Sequence, residues 1–586
     1  YGICILWTIG IGFFMRIEQI DEMITEVKGR LINARKPGEM WRGHLSSSAI
    51  STSVSVFALY LIDREKYSSY IVKGASWLKN TMTEEGAWGD SEESPANMTA
   101  TLLSYAALYA VDTPPQKVRN YLQDKLGGDS EDQLIKGVLN YYGTDLTFSV
   151  PILSMCGLAG LISQWNKIPP LPFELAVLPQ KLFRFLQLPV VSYAIPALIA
   201  VGILRYKKGK RNFYSFVRDK FIRRCLKVLE KLQPDDGGFL EAAPLTAFVG
   251  MCMSGAGFNE HEVTQKAAKF LVDTVREDGA WPIDTDLACW VTSLSLRALD
   301  EDIPERDYFI QKLKANALKE VHPFTGAQPG GWGWTDLSGS VPDADDTPGA
   351  LIALHVLTGG TYSDEIGNGI KWLLDLQNHD GGIPTFCKGW TKLPFDQSSP
   401  DLTAHTYFAF EIWKNQLPTD LYLRCKRSTQ RLVSFMEKTQ TQEGAWIPLW
   451  FGDQQATDEH SPVYGTATAV DYFTSSDNNR VKKLAQKGVA YLLSVQNPDG
   501  GWGGAKGITS KVTLTARTLA ALAPYGEVPS DVIEEGFNFL FQTYRHGNLY
   551  KREPIGLYFA RLWYSEDLYN VAFLLNALKQ IKKHRL

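Results

Sequence analysis

Leu492–Trp502 reads LLSVQNPDGGW: the end of an apolar helical stretch, a glutamine, two glycines and a closing aromatic. Variants of this pattern run along the chain. They are Trp77–Trp88 (WLKNTMTEEGAW), Leu229–Phe239 (LEKLQPDDGGF), Phe270–Trp281 (FLVDTVREDGAW), Gly326–Trp332 (GAQPGGW), Leu373–Ile383 (LLDLQNHDGGI) and Phe435–Trp446 (FMEKTQTQEGAW). In four copies the glutamine stands six residues before the closing position, as Gln233/Phe239, Gln377/Ile383, Gln440/Trp446 and Gln496/Trp502. A unit recurring every 40–60 residues or so (roughly) marks stacked supersecondary elements. A second apolar helix follows each turn, often opened by Thr-Ala, as in Met98–Val111 (MTATLLSYAALYAV) and Leu514–Ala523 (LTARTLAALA). Strand alternation is scarce. The repeat is therefore helix, glycine turn, helix, and such pairs stack in a solenoid or close into a toroid of inner and outer helices. The turn is expected to tie neighbouring repeats, the glutamine amide bonding a helix end and the indole stacking.

Composition narrows the function. The 586 residues carry 60 Lys+Arg against 64 Asp+Glu, a net charge of −4, which supplies no field for nucleic acid. The length suits several domains or one large helical array. Seven cysteines never form a CxxC pair, which argues for a reducing compartment and against a disulfide scaffold or a Cys-rich zinc site. Residues 1–14, YGICILWTIGIGFF, are apolar but short of the roughly 20 residues a crossing helix needs. We read them as sequence upstream of a start at Met15, or as a disordered extension.

Residues 165–204 interrupt the repeats. Leu188–Leu204 is uncharged but contains Pro189 and Pro196, and the basic stretch RYKKGKRNFYSFVRDKFIRR follows. Apolar surface beside Lys and Arg lets a protein lie in one leaflet without crossing it. A buried core helix with a solvated basic neighbour fits the same residues.

Chemistry concentrates in Ser340–Leu357, SVPDADDTPGALIALHVL. Thr347 followed by Pro348 reads as an N-cap with proline at the first helical position, so a helix should begin there. Asp343, Asp345 and Asp346 crowd its entrance. Acids favour helix N-termini, but three within four residues exceed what capping requires. They cannot all ionise together at low cost, so one should keep its proton at neutral pH, as protonation of a weak base demands. A Mg²⁺ cluster is the rival chemistry for DxDD.

VPDADDT resembles the DxDDT motif of squalene–hopene cyclases, and the Gln…Gly-x-Trp turns resemble that family's QW repeats. The resemblance spans about Trp41 to Leu575. It implies an all-α fold of two α/α barrels, or toroids, enclosing a central apolar cavity. The implied reaction is proton-initiated polycyclisation of a linear isoprenoid such as squalene, without cofactor or metal. It also implies attachment to one membrane leaflet, which the cysteine usage places on the cytoplasmic side; a homodimer is one assembly left open. The implied organisation is residues 15–36 as a helix on the second barrel, 37–295 as the first barrel with a membrane-facing insertion near 165–225, and 296–586 as the second. By the same resemblance Asp345 is the general acid, Asp343 and Asp346 hold and polarise it, and His405 in PDLTAH hydrogen-bonds it. A lone histidine in an apolar helix is otherwise a core residue.

A migrating carbocation needs stabilisation by groups that cannot attack it, and aromatic faces provide this. Matching positions give Trp334, Phe386, Trp450 and Trp165, with Trp290 and Tyr558 as looser matches. Taken singly, each aromatic is core packing. Departures from the family fall elsewhere. Pro348 stands where alanine is usual. WRGHLSSSAIST (Trp41–Thr52) lacks the glutamate found near the far end of hopene cyclase cavities, and Leu562 replaces a tyrosine. Initiation is thus preserved while termination is altered, and Glu241 becomes the candidate terminal base. Two other classes stay open: the same chemistry on a prenyl diphosphate, which would require Lys, Arg or Mg²⁺ at the rim, and a non-catalytic isoprenoid-binding toroid.

Overall fold

The structure, a computed structural model, describes residues 2–128, 130–143, 146–178, 195–210, 215–322, 327–386, 396–556 and 562–586, without the side chains of residues 2–16. Among the described residues it is helical throughout, with isolated β-bridges and no strand. The helices form two rings, each with an inner layer and an outer layer.

In the first ring the inner helices are α2 (Ala49–Asp63), α4 (Met98–Val111), α7 (Leu146–Leu158), α8 (Ile195–Lys208) and α10 (Ala243–Gly255). α10 packs back on α2 and closes the circle. Outside them lie α3 (Ser68–Asn80), α5 (Gln116–Leu126), α6 (Glu131–Tyr142), α9 (Ser215–Leu232) and α11 (Glu262–Thr274). In the second ring the inner helices are α12 (Ala288–Leu299), α14 (Asp346–Thr358), α16 (Pro400–Trp413), α18 (Pro462–Phe473), α20 (Val512–Leu522) and α22 (Asp567–Arg585). Here α12 closes on α22. α13 (Arg306–Asn316), α15 (Asp364–Leu376), α17 (Thr419–Thr439), α19 (Asn479–Ser494) and α21 (Ser530–Arg545) form its outer layer. α1 (Gly2–Asn33) takes the outer place against α22, with Met23, Val27 and Leu31 buried and Asp21 paired to Lys582 at 2.5 Å.

Layer position follows from sequence. Inner helices such as α14, DTPGALIALHVLT, are apolar on nearly every face and buried almost end to end. Outer helices such as α15 bury one stripe, Ile366, Ile370, Leu373 and Leu376, and leave the other face wet.

Each glycine turn carries the chain from an outer helix to the next inner one. Its indole N–H donates to the carbonyl near the end of the helix it follows: Trp88 to Leu78, Trp281 to Leu271, Trp446 to Met436 and Trp502 to Leu492, at 2.7–2.9 Å. The glutamine amide reaches further. Gln496 donates to Gly500 O at 2.8 Å and to Val532 O of the following outer helix at 3.0 Å, and Gln440 does the same to Gly444 and Leu484. The amide thus bonds the next outer helix and ties the repeats as expected, whereas the indole, expected to stack, also donates to the preceding helix end. A threonine of the next inner helix completes the strap, Thr515 Oγ1 accepting from Trp502 N at 2.9 Å.

Two expectations are changed by packing. The boundary at residue 295 would divide α12, which is an inner helix of the second ring, packed between α14 and α22. The described part of the run expected to face a membrane, Ile195–Leu204, is buried throughout against α7 and α10. An all-apolar helix satisfies a protein core and a lipid face equally, and here the core takes it. The remainder of that run, 188–194, lies outside the described residues. Among the described residues no helix is long and apolar enough to cross a membrane. α1 runs through the stretch expected to be an extension.

Candidate active site

The second ring presents the N-terminal ends of its inner helices to a cavity whose lining lies between Leu287 and Tyr569. Leu287 and Trp290 come from the start of α12, Asp345 and Asp346 from the start of α14, Leu402 from α16, and Tyr569 from α22, with Tyr564 in the segment just before it.

The three acids have distinct jobs. α14 starts at Asp346, with Asp345 at its cap position. Asp343 supplies the capping bonds: its Oδ1 accepts the backbone N–H of both Asp345 and Asp346, each at 2.8 Å. Thr347, expected as the cap, is held elsewhere by Trp332, donating to its carbonyl at 3.2 Å and accepting from its N–H at 3.0 Å. The strap between repeats outcompetes the cap for the hydroxyl. Asp343 and Asp346 are buried. Desolvation is the main cause that pushes Asp343 up to about 7, and it raises Asp346 well above the carboxylate range, with repulsion from Asp343 and Asp345 adding to it. The proton expected somewhere in the cluster at neutral pH thus rests on Asp346, shared toward Asp343. Asp345 alone keeps a quarter of its side chain accessible, and its Oδ1 lies 3.1 Å from His405 Nδ1.

His405 is buried, stacked on Tyr472 with centroids 4.6 Å apart, and edge-on to Trp290. Burial pulls it below the usual histidine value, against the opposing attraction of Asp345. One helical turn earlier Asp401 is also buried and pushed up to about 6 by desolvation, while Ser399 donates to it. Sequence reasoning passed over Asp401, although the i, i+4 spacing inside PDLTAH places it on the same face as His405.

Most of the expected aromatics meet here. Trp290, Trp334, Phe386 and Trp450 line the cavity. Phe386 stands edge-on to both Trp334, at 6.1 Å, and Trp450, at 5.8 Å. Phe451, Tyr564 and Tyr569 join them without having been anticipated, the two tyrosine hydroxyls 3.2 Å apart. Tyr564 and Tyr569 lie in the run YSEDLY, where the missing family tyrosines drew attention instead. Trp165 is not among the residues lining the cavity. It sits in a short 3₁₀ turn of the first ring, half-buried against Gly157, where an added Cβ would come within 2.8 Å of the ring. Tyr558 lies outside the described residues.

Glu241 also stands away from the cavity lining. It is buried at the junction of the rings, accepting Gly339 N–H at 2.7 Å and the Thr285 hydroxyl at 3.2 Å. Burial first, then Asp236, pushes it up to about 9, so it holds a proton at neutral pH and makes a poor base. Its geometry is that of a buried link between rings. Among the described residues no group of His, Cys, Asp and Glu is arranged to hold a metal ion.

This arrangement, a hydrogen-bonded acid at one wall of an aromatic cavity in a double helical toroid, suits delivery of a proton to an apolar substrate. Residues 322–583 match the squalene-hopene cyclase C-terminal domain. The chain is 21% identical over 573 residues to a probable squalene–hopene cyclase of Sinorhizobium fredii, covering 82% of this chain and 84% of that one. It is 23% identical over 618 residues to enfumafungin synthase of Hormonema carpetanum, covering 87% of this chain and 45% of the other. A terpene cyclase–glycosyl transferase fusion protein of Humicola fuscoatra is 25% identical over 399 residues, covering 59% of this chain. The chain thus spans less than half the length of these two fungal relatives, at 45% and 28%. The fold is that of ent-copalyl diphosphate synthase from Streptomyces platensis, with a TM-score of 0.54 at 14% identity over 97% of this chain and 100% of that one. The likeness to squalene–hopene cyclases thus takes in the second ring through the family model, and most of the chain through relatives at 19–21% identity.

Proposed function

We propose that this protein cyclises squalene, or a linear polyprene of similar length, to a polycyclic triterpene. Asp345 delivers its proton to the terminal alkene carbon, and the resulting cation is passed along the chain as each C–C bond forms. Loss of a proton or capture of water ends the sequence. The observation that carries the reading is the position of Asp345: of the three acids it alone is bonded to a histidine, and it opens on a cavity walled by Trp290, Trp334, Phe386 and Trp450. Asp343 holds its backbone N–H, and the aromatic faces favour the cation by about 2 kcal/mol or more where desolvated.

The reading needs no metal, and turnover is expected to survive EDTA. Incubation of the purified protein in detergent with squalene, and separately with geranylgeranyl diphosphate, followed by mass spectrometry of the products, decides between substrates. Cyclic hydrocarbon from squalene supports the proposal. Turnover of the diphosphate alone, lost with chelator and restored by Mg²⁺, moves the assignment to a prenyl diphosphate cyclase. No product from either favours a binding toroid. The proposal also includes attachment to one leaflet, supported by Phe216 and Val217, 69% and 53% exposed at the start of α9 just past Lys207 and Lys208.

A further inference from the structure

Deeper in the second ring lie charges that proton delivery does not itself require. Arg297 on α12 donates to both carboxylate oxygens of Asp471 on α18, each at 2.9 Å, and the two charges offset one another. Arg517 on α20 has no such partner among the described residues. Its guanidinium lies 4.4 Å from the Tyr464 ring centre and 4.5 Å from that of Phe573. It donates to the Thr468 hydroxyl, and its buried Nε has no hydrogen-bond partner. Arg297, Asp471 and Arg517 line a second, small cavity among the inner helices α12, α18, α20 and α22. A part-buried cation without a direct ion-pair partner carries a cost, so its retention asks for a reason.

The neighbours of His405 supply one. Asp345 faces it from the start of α14, Asp401 from its own helix, Trp290 and Arg297 from α12, and Tyr472, stacked on it, from α18 with Tyr464 and Asp471. The Arg297 guanidinium lies 4.9 Å from the Tyr472 ring. The outer helix α17 presents Cys425, Ser428 and Leu432, which carry no charge at neutral pH. Asp345 and His405 can share one proton in two ways, as carboxyl and imidazole or as carboxylate and imidazolium. Only the first leaves an O–H to give to an alkene, with Nδ1–H donating to the other oxygen. The Arg297 guanidinium stands one ring beyond the imidazole, over Tyr472, and Arg517 lines the same cavity as Arg297, so a fixed positive charge there penalises the second arrangement at its cationic end.

We propose that Arg517 is a positioning residue for the acid, its unpaired charge keeping the His405 imidazole neutral so that the shared proton stays on the carboxyl. The role within catalysis rests on Asp345 being the proton donor; the charge arrangement does not.

Full-length protein labelled with ¹³C-histidine is titrated by NMR, the His405 signal being assigned with His405→Gln. In Arg517→Met the His405 midpoint is expected to move up in pH, by on the order of one unit. In Asp471→Asn, which frees the Arg297 charge, it moves down; Arg517→Lys leaves it near the parent value. The acid limb of kcat moves in the same directions while KM changes little. Midpoints unmoved in both variants, or moved with the same sign in both as general packing damage would give, overturn the proposal. If Arg517→Met does not fold, the downward shift in Asp471→Asn decides alone. Shifts of the expected signs in a protein that cyclises no polyprene sustain the charge arrangement and overturn the cyclase reading instead.

Discussion

On the proposed reading, Asp345 must be acidic enough to protonate an alkene and yet contribute little to holding the fold. Its carboxylate bonds His405 and opens on the cavity, while Asp343 does the capping. Asp345→Asn is therefore expected to abolish cyclisation while thermal melting stays level or rises slightly, since the amide keeps the shape and never adds a charge beside Asp343 and Asp346. Asp346→Asn should be severely impaired and His405→Ala slowed. Full activity in Asp345→Asn would end the assignment. Glu241 offers a pH test. It is protonated when folded up to about 9 but ionises near 4.5 when unfolded, so the unfolded state binds fewer protons between those values. Stability conferred by this group is complete below about 4.5 and falls as pH rises through 9. Glu241→Gln should raise the melting temperature at pH 8 relative to the parent and change it little at pH 5. An equal change at both pH values would contradict the buried, protonated state.

At the scale of the element, the glycine turns hold the layers together. Gly500 has φ +85°, and a Cβ there would lie 2.4 Å from the Glu535 carbonyl oxygen. Gly507 has a similar φ of +75° with open space around it. Gly507→Ala should cost only the left-handed strain, about 1 kcal/mol. Gly500→Ala should cost clearly more, because the colliding atom is backbone; calorimetry of the two variants separates strain from collision. These turns were readable in sequence because their chemistry is local: a glycine, an indole ten residues from its acceptor, an amide at fixed offset. What was misread depended on the third dimension. Ile195–Leu204 is apolar on every side, so spacing could not tell a ring interior from lipid. Trp165 matched by position in the chain, but nothing in its neighbours revealed which way the ring turned. Thr347 had a capping signature, and the bond that diverts it comes from Trp332, whose place beside it exists only once the repeat has folded.

Across the whole molecule, the two rings meet through short-range backbone contacts and buried acids. Ser46 N donates to Ser565 O at 2.9 Å, Trp563 N to Asp90 at 2.7 Å and Gly339 N to Glu241. If Phe216, Val217 and the neighbouring lysines rest on a leaflet, vesicle flotation should show binding that detergent releases and high salt alone does not. Phe216→Asp with Val217→Asp should leave the protein unbound. Binding unchanged by that pair would remove the patch from the account.

A closed hoop has a discrete girth. Because α12 packs against α22 and completes the second circle, the perimeter can grow only by a whole helix pair, a step of about 8–10 Å in the wall. If the chain acts on isoprenoids as proposed, divergence toward longer or shorter ones, or toward other skeletons, is thereby confined to exchanging the residues that project from the helix starts, one methylene or one ring at a time. The architecture sets a coarse gauge, and variety among products must be written on its inner lining.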